Sequence, residues 1–390
     1  MRFVLFKGQS QYGSLRLHID QLAAALVGLG HEASVLDLTA ADAPEKANAS
    51  FAAPADCYFG ISGVGAEIQV GNASVYDAIG ATYASLYVDH PIHHTTRLAM
   101  PIRKKVGLFL DRSHVQFMTT WSKGRGFAQL GFLPPGANQI DEPLETTDGA
   151  FLARDIPLLF TGTYRGEPVA PWRDEPPSIG RDAVEEIAQR MAADGRLAVL
   201  DALKAVIARL GGELTPDLFE EFLPLLQAPQ FYAEAHHRGA LLNTLGQAGT
   251  PIHIYGNGWE PLLERYPSFV HGGVGSFEET LHLLRRTKLV LNSNNGFVAG
   301  GHERVFTAMC GGAAVISDEN RYYAEAFKPG REMAVYAWDK LDRVPGQIAA
   351  LLEDQDALAA LARAGAKRAF ADHTWTARAA KLVKIVKQAR

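Results

Sequence analysis

The chain has 390 residues, 47% apolar and 21% charged. That is too long for one small core and too ordinary in composition for a disordered or collagenous protein, so two domains are expected. A formal net charge of −5 carries no basic excess, which excludes a general affinity for nucleic acid or for an acidic membrane face through overall charge. Two cysteines, Cys57 and Cys310, stand far apart in apolar contexts; they predict buried thiols in a reducing compartment rather than a disulfide framework or a zinc site.

RFVLF at 2–6 is a short apolar run, too short for the apolar region of a signal peptide. No run approaches the ~18 apolar residues of a membrane span. The expectation is a cytoplasmic protein with no transmembrane segment and at most peripheral membrane contact. The loop KGQSQYG (7–13) brings Gly8, Gln9 and Gly13 to a helix in which Leu15, Ile19, Leu22, Leu26 and Leu29 recur at helical spacing. Gly30 ends that helix and ASVLDL (33–38) supplies a second strand, giving a βαβ unit with parallel strands. Further strands are predicted at 56–61, 83–88, 105–110 and 115–120, with helices between most of them, as in an open, doubly wound α/β sheet.

The stretch 130–150 concentrates proline, glycine and acidic residues without a period and reads as a linker. A second α/β unit follows, with strands at 156–160, 252–256, 288–292, 313–317 and 333–337. The sequence between the first two of these strands is helical across 182–248, and a helical insertion is expected at about 167–230. From 339 onward the chain is helical again, and the basic stripe of its last segment reads as a solvated face.

The segment 288–318 carries the most chemistry. A strand ends at Asn292, a polar and glycine-rich loop containing Asn294 and Gly301 follows, and a helix starts near His302. Backbone N–H groups at a helix N-terminus carry partial positive charge, and glycines let a diphosphate approach the backbone. Arg304 in the first turn opposes the helix dipole, a conflict that a bound diphosphate would resolve. Glu303 suits that dipole.

GGHERVFTAMCGGAAVISDENRYYAEAFKPGREMAVYAW (300–338) resembles the C-terminal signature of group 1-like glycosyltransferases of the spore-maturation (CgeB-like) kind. LLFTGTY (158–164) and HRGALLNTLGQAGTPIHIYGNGW (237–259) are similar to that family's donor-domain elements. The resemblance implies a GT-B fold: two Rossmann-like doubly wound domains facing a central cleft, with a helical insertion in the C-terminal one. Residues 1–145 would be the acceptor domain and 151–372 the nucleotide-sugar domain, with a helix at 373–390 packing back on the N-terminal domain. Carried over by position, Gly162 and Tyr164 would lie beside the donor, Gly256 and Asn257 near its base, and His302, Glu303 and Arg304 around the diphosphate and sugar. Asn294, Gly301 and Thr307 would complete that wall, and Gly8 and Gln9 would face the donor across the cleft.

Retaining members of group 1 place two glutamates eight positions apart, where this chain has Ala299 and Thr307. Neither is a carboxylate, which favours inversion: a base takes the proton of an acceptor hydroxyl as its oxygen attacks the anomeric carbon. That base is expected at a strand end of the N-terminal domain, Asp89 or His90 in YVDHPIHH, or Asp111 or His114 in LDRSH.

The first loop lacks the GxGxxG spacing of a nicotinamide site. Asp354 and Asp356 read as helix termini, Ser276 with Glu279 as a capping box, and His236 and His237 lack a partner at zinc-ligand spacing. The resulting expectation is an enzyme with no obligatory cofactor or metal. It would use a nucleotide-diphosphate sugar, with UDP favoured, and a glycan, protein or small-molecule acceptor, with no nucleic-acid partner. A nucleotide-sugar epimerase of the same fold and a non-catalytic sugar-nucleotide-binding protein are the alternatives.

Overall fold

A computed structural model describes residues 1–121, 126–145, 147–294 and 296–389. The chain divides into one unit of residues 1–138 with 372–390, and a second of residues 139–371.

Six parallel strands form the sheet of the first unit: β1 (Arg2–Lys7), β2 (Glu32–Asp37), β3 (Cys57–Ile61), β4 (Thr82–Tyr87), β5 (Lys105–Phe109) and β6 (Gln129–Phe132), in the order β2-β1-β3-β4-β5-β6. Every residue of β3, β4 and β5 is buried, as a parallel sheet covered on both faces requires. On one face the helix Ser14–Gly28 packs with the C-terminal helix Trp375–Gln388, so that Ile19 and Leu22 share a core with Trp375, Leu382 and Val386. Val4, Phe6, Tyr58, Tyr76 and Tyr83 fill the other face. The chain's return is pinned inside this unit. The Ala137 amide donates to the His373 carbonyl at 2.7 Å, and buried Arg378 donates to the carbonyls of Pro135 at 3.0 Å and Asp372 at 2.8 Å.

Two expectations are corrected here. Residues 115–120 form part of the helix Arg112–Trp121, not a strand. His114, Phe117, Met118 and Trp121 bury one helical face, and the Ser113 amide donates to the Asp111 carboxylate at 2.6 Å. A short apolar run is ambiguous by periodicity, and here the cap decides. The supposed linker also begins inside the sheet, because residues 130–132 belong to β6, paired with β5.

In the second unit the strands are β7 (Ile156–Thr161), β8 (Ile252–Tyr255), β9 (Phe269–His271), β10 (Thr287–Leu291), β11 (Ala314–Asp318) and β12 (Ala334–Tyr336), in the order β9-β8-β7-β10-β11-β12 and all parallel. Three-residue β9 at the sheet edge is too short to announce itself in the sequence. The expected helical insertion is present between β7 and β8, as the helices Ile179–Ala193, Val199–Arg209, Pro216–Phe222 and Gln227–Gln247. This strand order reverses direction between β7 and β10, and such a switch leaves a crevice beyond the carboxyl ends of the two strands. The capping box at Ser276 and Glu279 forms as expected. Asp354 accepts from the Ala357 amide at 3.0 Å and so caps a helix.

Leu382 is fully buried against the first sheet. Leu382→Ala should therefore lower stability by about 2–5 kcal/mol, read from the denaturation midpoint. An unchanged midpoint would remove the C-terminal helix from this core.

Candidate functional site

The switch point of the second sheet is built from tightly joined strand ends. The Gly162 amide donates to the Tyr255 carbonyl at 2.9 Å, and the Tyr164 amide to the Asn257 carbonyl at 2.9 Å. Gly256 has φ +132, and a Cβ there would lie 2.1 Å from the Gly162 carbonyl oxygen; only glycine fits. Trp259 Nε1 donates to the same carbonyl at 2.9 Å, and the buried Tyr164 ring stacks on Trp259. Gly256 and Tyr164 thus hold the turns together, while the Asn257 side chain is exposed.

Beyond β10, buried Asn292, Ser293 and Asn294 open a loop tied down by polar groups from β11 and its neighbours. Asn292 Nδ2 donates to Ser317 Oγ at 2.8 Å, and the Tyr336 hydroxyl to the Asn292 carbonyl at 3.0 Å. The Asn294 amide donates to the Asp318 carboxylate at 2.6 Å. Asn294 Nδ2 and Asn320 Nδ2 both donate to the Gly300 carbonyl, at 3.2 and 2.9 Å. Gly301 packs where a Cβ would sit 2.7 Å from the Phe306 ring.

The helix Glu303–Cys310 starts where expected, capped by His302, whose Nδ1 accepts from the Arg304 amide at 3.2 Å. The same nitrogen lies 2.7 Å from Glu303 Oε2, so cap and carboxylate compete for one ring atom. The His302 amide is within reach of Asn294 Oδ1 at 3.2 Å and the Tyr323 hydroxyl at 3.3 Å. Two of the amides at this helix start, those of His302 and Arg304, are thus used inside the protein. Thr307 is buried.

What this loop presents instead is charge. Arg304 Nη1 donates to Asn292 Oδ1 at 2.8 Å, its guanidinium carbon is 5.8 Å from the Phe160 ring centre, and a Cβ on Gly162 would lie 3.4 Å from its Nη2. A second cation, Arg238 of the helix Gln227–Gln247, lies 6.0 Å from the same ring centre and donates to the Thr163 carbonyl at 2.6 Å. Its buried Nε has no hydrogen-bond partner. Burial, followed by the repulsion of Arg304, lowers the Arg238 pKa to about 10, and burial also lowers that of Arg304. Both remain cationic near neutrality. Neither forms a salt bridge among the described residues.

In the first unit, His90 and His114 meet with ring centres 4.6 Å apart. His90 is buried and its Nδ1 accepts from the Ile92 amide at 3.2 Å; burial, then the neighbouring His114, drives its pKa well down. Asp111 and His114 are fully buried, and His114 lies within the helix Arg112–Trp121 rather than at a strand end. Asp89 differs, with a side chain 60% exposed and 3.6 Å from His94 Nε2. After β1, Gln9 is exposed and the Gly8 carbonyl accepts from Arg16 at 3.1 Å. Asp37, at the end of β2, is held ionised by the Arg16 guanidinium. Both cysteines are buried, and neither is in a disulfide. Among the described residues no group of three or more His, Cys, Asp or Glu side chains forms a metal-binding set, and no helix is long and apolar enough to cross a membrane.

Residues 238–384 match a family model described as "Glycosyl transferase-like", and no curated protein matches the chain. Solved structures align over nearly its whole length. An alpha-glucosyltransferase in complex with UDP-glucose and DNA containing an abasic site has a TM-score of 0.59 at 9% identity, covering 99% of both chains. Sucrose-phosphate synthase from Thermosynechococcus elongatus has 0.57 at 12% identity, covering 99% of this chain and 98% of its own. Anabaena HepE in complex with UDP-glucose has 0.56 at 9% identity, covering 99% of both. The fold is GT-B.

Within this GT-B chain, sequence reasoning singled out Arg304 but missed Arg238 and Asp318. Arg238 opens the matched family segment yet sits mid-helix, where an arginine carries no positional signal. Asp318 is legible only as the polar end of an apolar strand. Burial pushes its carboxyl up to about 7, with the Asn294 amide offsetting part of the effect. The folded chain therefore holds this proton more tightly than the unfolded chain, whose Asp titrates near 4. That stabilisation is complete below about pH 4 and is lost as the pH rises through about 7. Asp318→Asn keeps an oxygen to accept from Asn294. It should flatten the pH dependence of GT-B stability between about pH 4 and 7 by on the order of 3–4 kcal/mol. An unaltered profile would show that the carboxyl does not titrate in that window.

Proposed function

We propose that the protein is a glycosyltransferase that moves a sugar from a nucleoside-diphosphate donor to an acceptor hydroxyl. The observation that carries this reading is the pair Arg238 and Arg304, two guanidiniums held against one ring at the switch point without a carboxylate salt bridge. Like charges so placed call for a multivalent anion, and guanidinium geometry matches phosphate oxygens. The matched family segment and the GT-B fold agree with a nucleotide-sugar donor. UDP-sugars are the first donors to test, because several of the similar structures are described as complexes with UDP or UDP-glucose. The signature at 300–338 supports kinship with the spore-maturation (CgeB-like) kind.

In the reaction the acceptor oxygen bonds to the anomeric carbon as the bond from that carbon to the diphosphate breaks. Charge then develops on the departing diphosphate, where Arg238 and Arg304 act as preorganised donors. This assigns to arginines the neutralisation that a divalent metal would otherwise supply. Thr307 at a place where group 1 retaining enzymes carry a glutamate supports inversion. The acceptor proton goes to Asp89, the exposed carboxylate among the four residues considered, with His94 beside it.

Isothermal calorimetry with UDP-glucose, GDP-mannose and dTDP-glucose tests the donor site. At least one should bind, and Arg304→Ala should weaken it about ten- to a hundredfold, the loss of a charge-assisted hydrogen bond. Failure of all three to bind the wild-type protein would overturn the reading. Asp89→Asn should leave donor affinity unchanged and suppress release of nucleoside diphosphate at least a hundredfold; unchanged release would discard Asp89 as the base.

A further inference from the structure

The helix Gln227–Gln247 closes the helical insertion, and its residues 230, 234 and 238 follow one another at successive turns on one face. Arg238 reaches the loop after β7 through the Thr163 carbonyl. Glu234 spans both sides of the switch point: its Oε2 is 3.9 Å from Arg165 Nη1 after β7, and its Oε1 would lie 2.7 Å from a Cβ on Gly296 after β10. Buried Gln230 donates to Glu234 Oε1 at 2.9 Å and approaches the same Gly296, 2.6 Å from its Cβ position. Gly296 has φ +77, so at this position the loop brings its backbone, not a side chain, to the polar row.

From this geometry we infer that the insertion helix reads the donor, Arg238 holding the diphosphate with Arg304, and Glu234, positioned by Gln230, accepting hydrogen bonds from hydroxyls of the transferred sugar. The inference rests on the glycosyltransferase reading and adds the sugar-recognising residue to it. The unpartnered Nε of Arg238 leaves a donor for a phosphate oxygen. The Arg165 contact with Glu234 is long, and the Arg165 side chain is 58% exposed, so that ion pair is a weak one. A carboxylate beside a diphosphate would repel it; one that meets the sugar instead selects for the intact donor over the free nucleotide.

Calorimetry separates the two levels, with UDP-glucose, GDP-mannose and dTDP-glucose each measured against UDP, GDP and dTDP. The wild type should bind one nucleotide sugar about tenfold more tightly than its nucleotide. Glu234→Ala should abolish that preference without weakening the binding of the nucleotide, and Arg238→Ala should weaken both about tenfold or more. Glu234→Gln, which keeps the volume and an oxygen to accept from Gln230, should lose most of the preference and serves if the alanine variant fails to fold. A preference that survives in both Glu234 variants, or its absence in the wild type, would overturn the inference and leave the donor site standing. A wild-type protein that binds none of the six ligands would overturn the parent reading instead.

Discussion

Two like charges share one buried ring. Arg238 and Arg304 approach Phe160 from different elements, one from the insertion helix and one from the first turn of the helix after β10. A partly buried cation without a direct salt bridge opposes folding, a second one nearby adds to the cost, and Glu234 and Glu303 offset it only from beyond ion-pair distance. The protein meets this with neutral acceptors, the Asn292 side chain and the Thr163 carbonyl, which orient the guanidiniums without neutralising them. Two fixed guanidiniums side by side are what the proposed diphosphate site requires.

The rest of the second unit keeps those two side chains in place. Glycines at 256 and 258 let the turns after β7 and β8 meet backbone to backbone. The loop after β10 is fastened from below by Asp318, Asn320, Tyr323 and Tyr336, so Asn292 is fixed before it accepts from Arg304. At the far end of the same helix, Arg154 donates to the Gly311 carbonyl at 3.0 Å and to the Thr287 carbonyl at 2.7 Å, tying the helix C-terminus to the start of β10. A buried polar network of this kind is stable only when its members are satisfied, and the raised pKa of Asp318 shows what burial costs at one of them.

Much of this was legible in the sequence, and the exceptions have physical causes. The alternation of apolar runs with amphipathic stretches points to both doubly wound sheets, and the segment from Thr287 to Cys310 reads as strand, loop and helix, with the strand ending at Leu291. Arg304 stood out because a cation in a first helical turn conflicts with the dipole. Arg238 gives no such signal, since an arginine inside a helix is ordinary until the fold brings it beside Phe160. The helix Arg112–Trp121 reads as a strand in the sequence because the apolar run at 115–120 is too short to show a period. The amides at the start of the helix after β10 looked open because the partners that occupy them, Asn294 and Tyr323, come from a loop and a helix whose placement only the tertiary fold determines.

A crystal structure with a nucleoside diphosphate bound tests the paired-cation site most directly. The phosphate oxygens should lie within hydrogen-bonding distance of both guanidiniums, with the Arg238 Nε engaged. Phosphates bound elsewhere, or at Arg304 with Arg238 still turned to the Thr163 carbonyl alone, would contradict it.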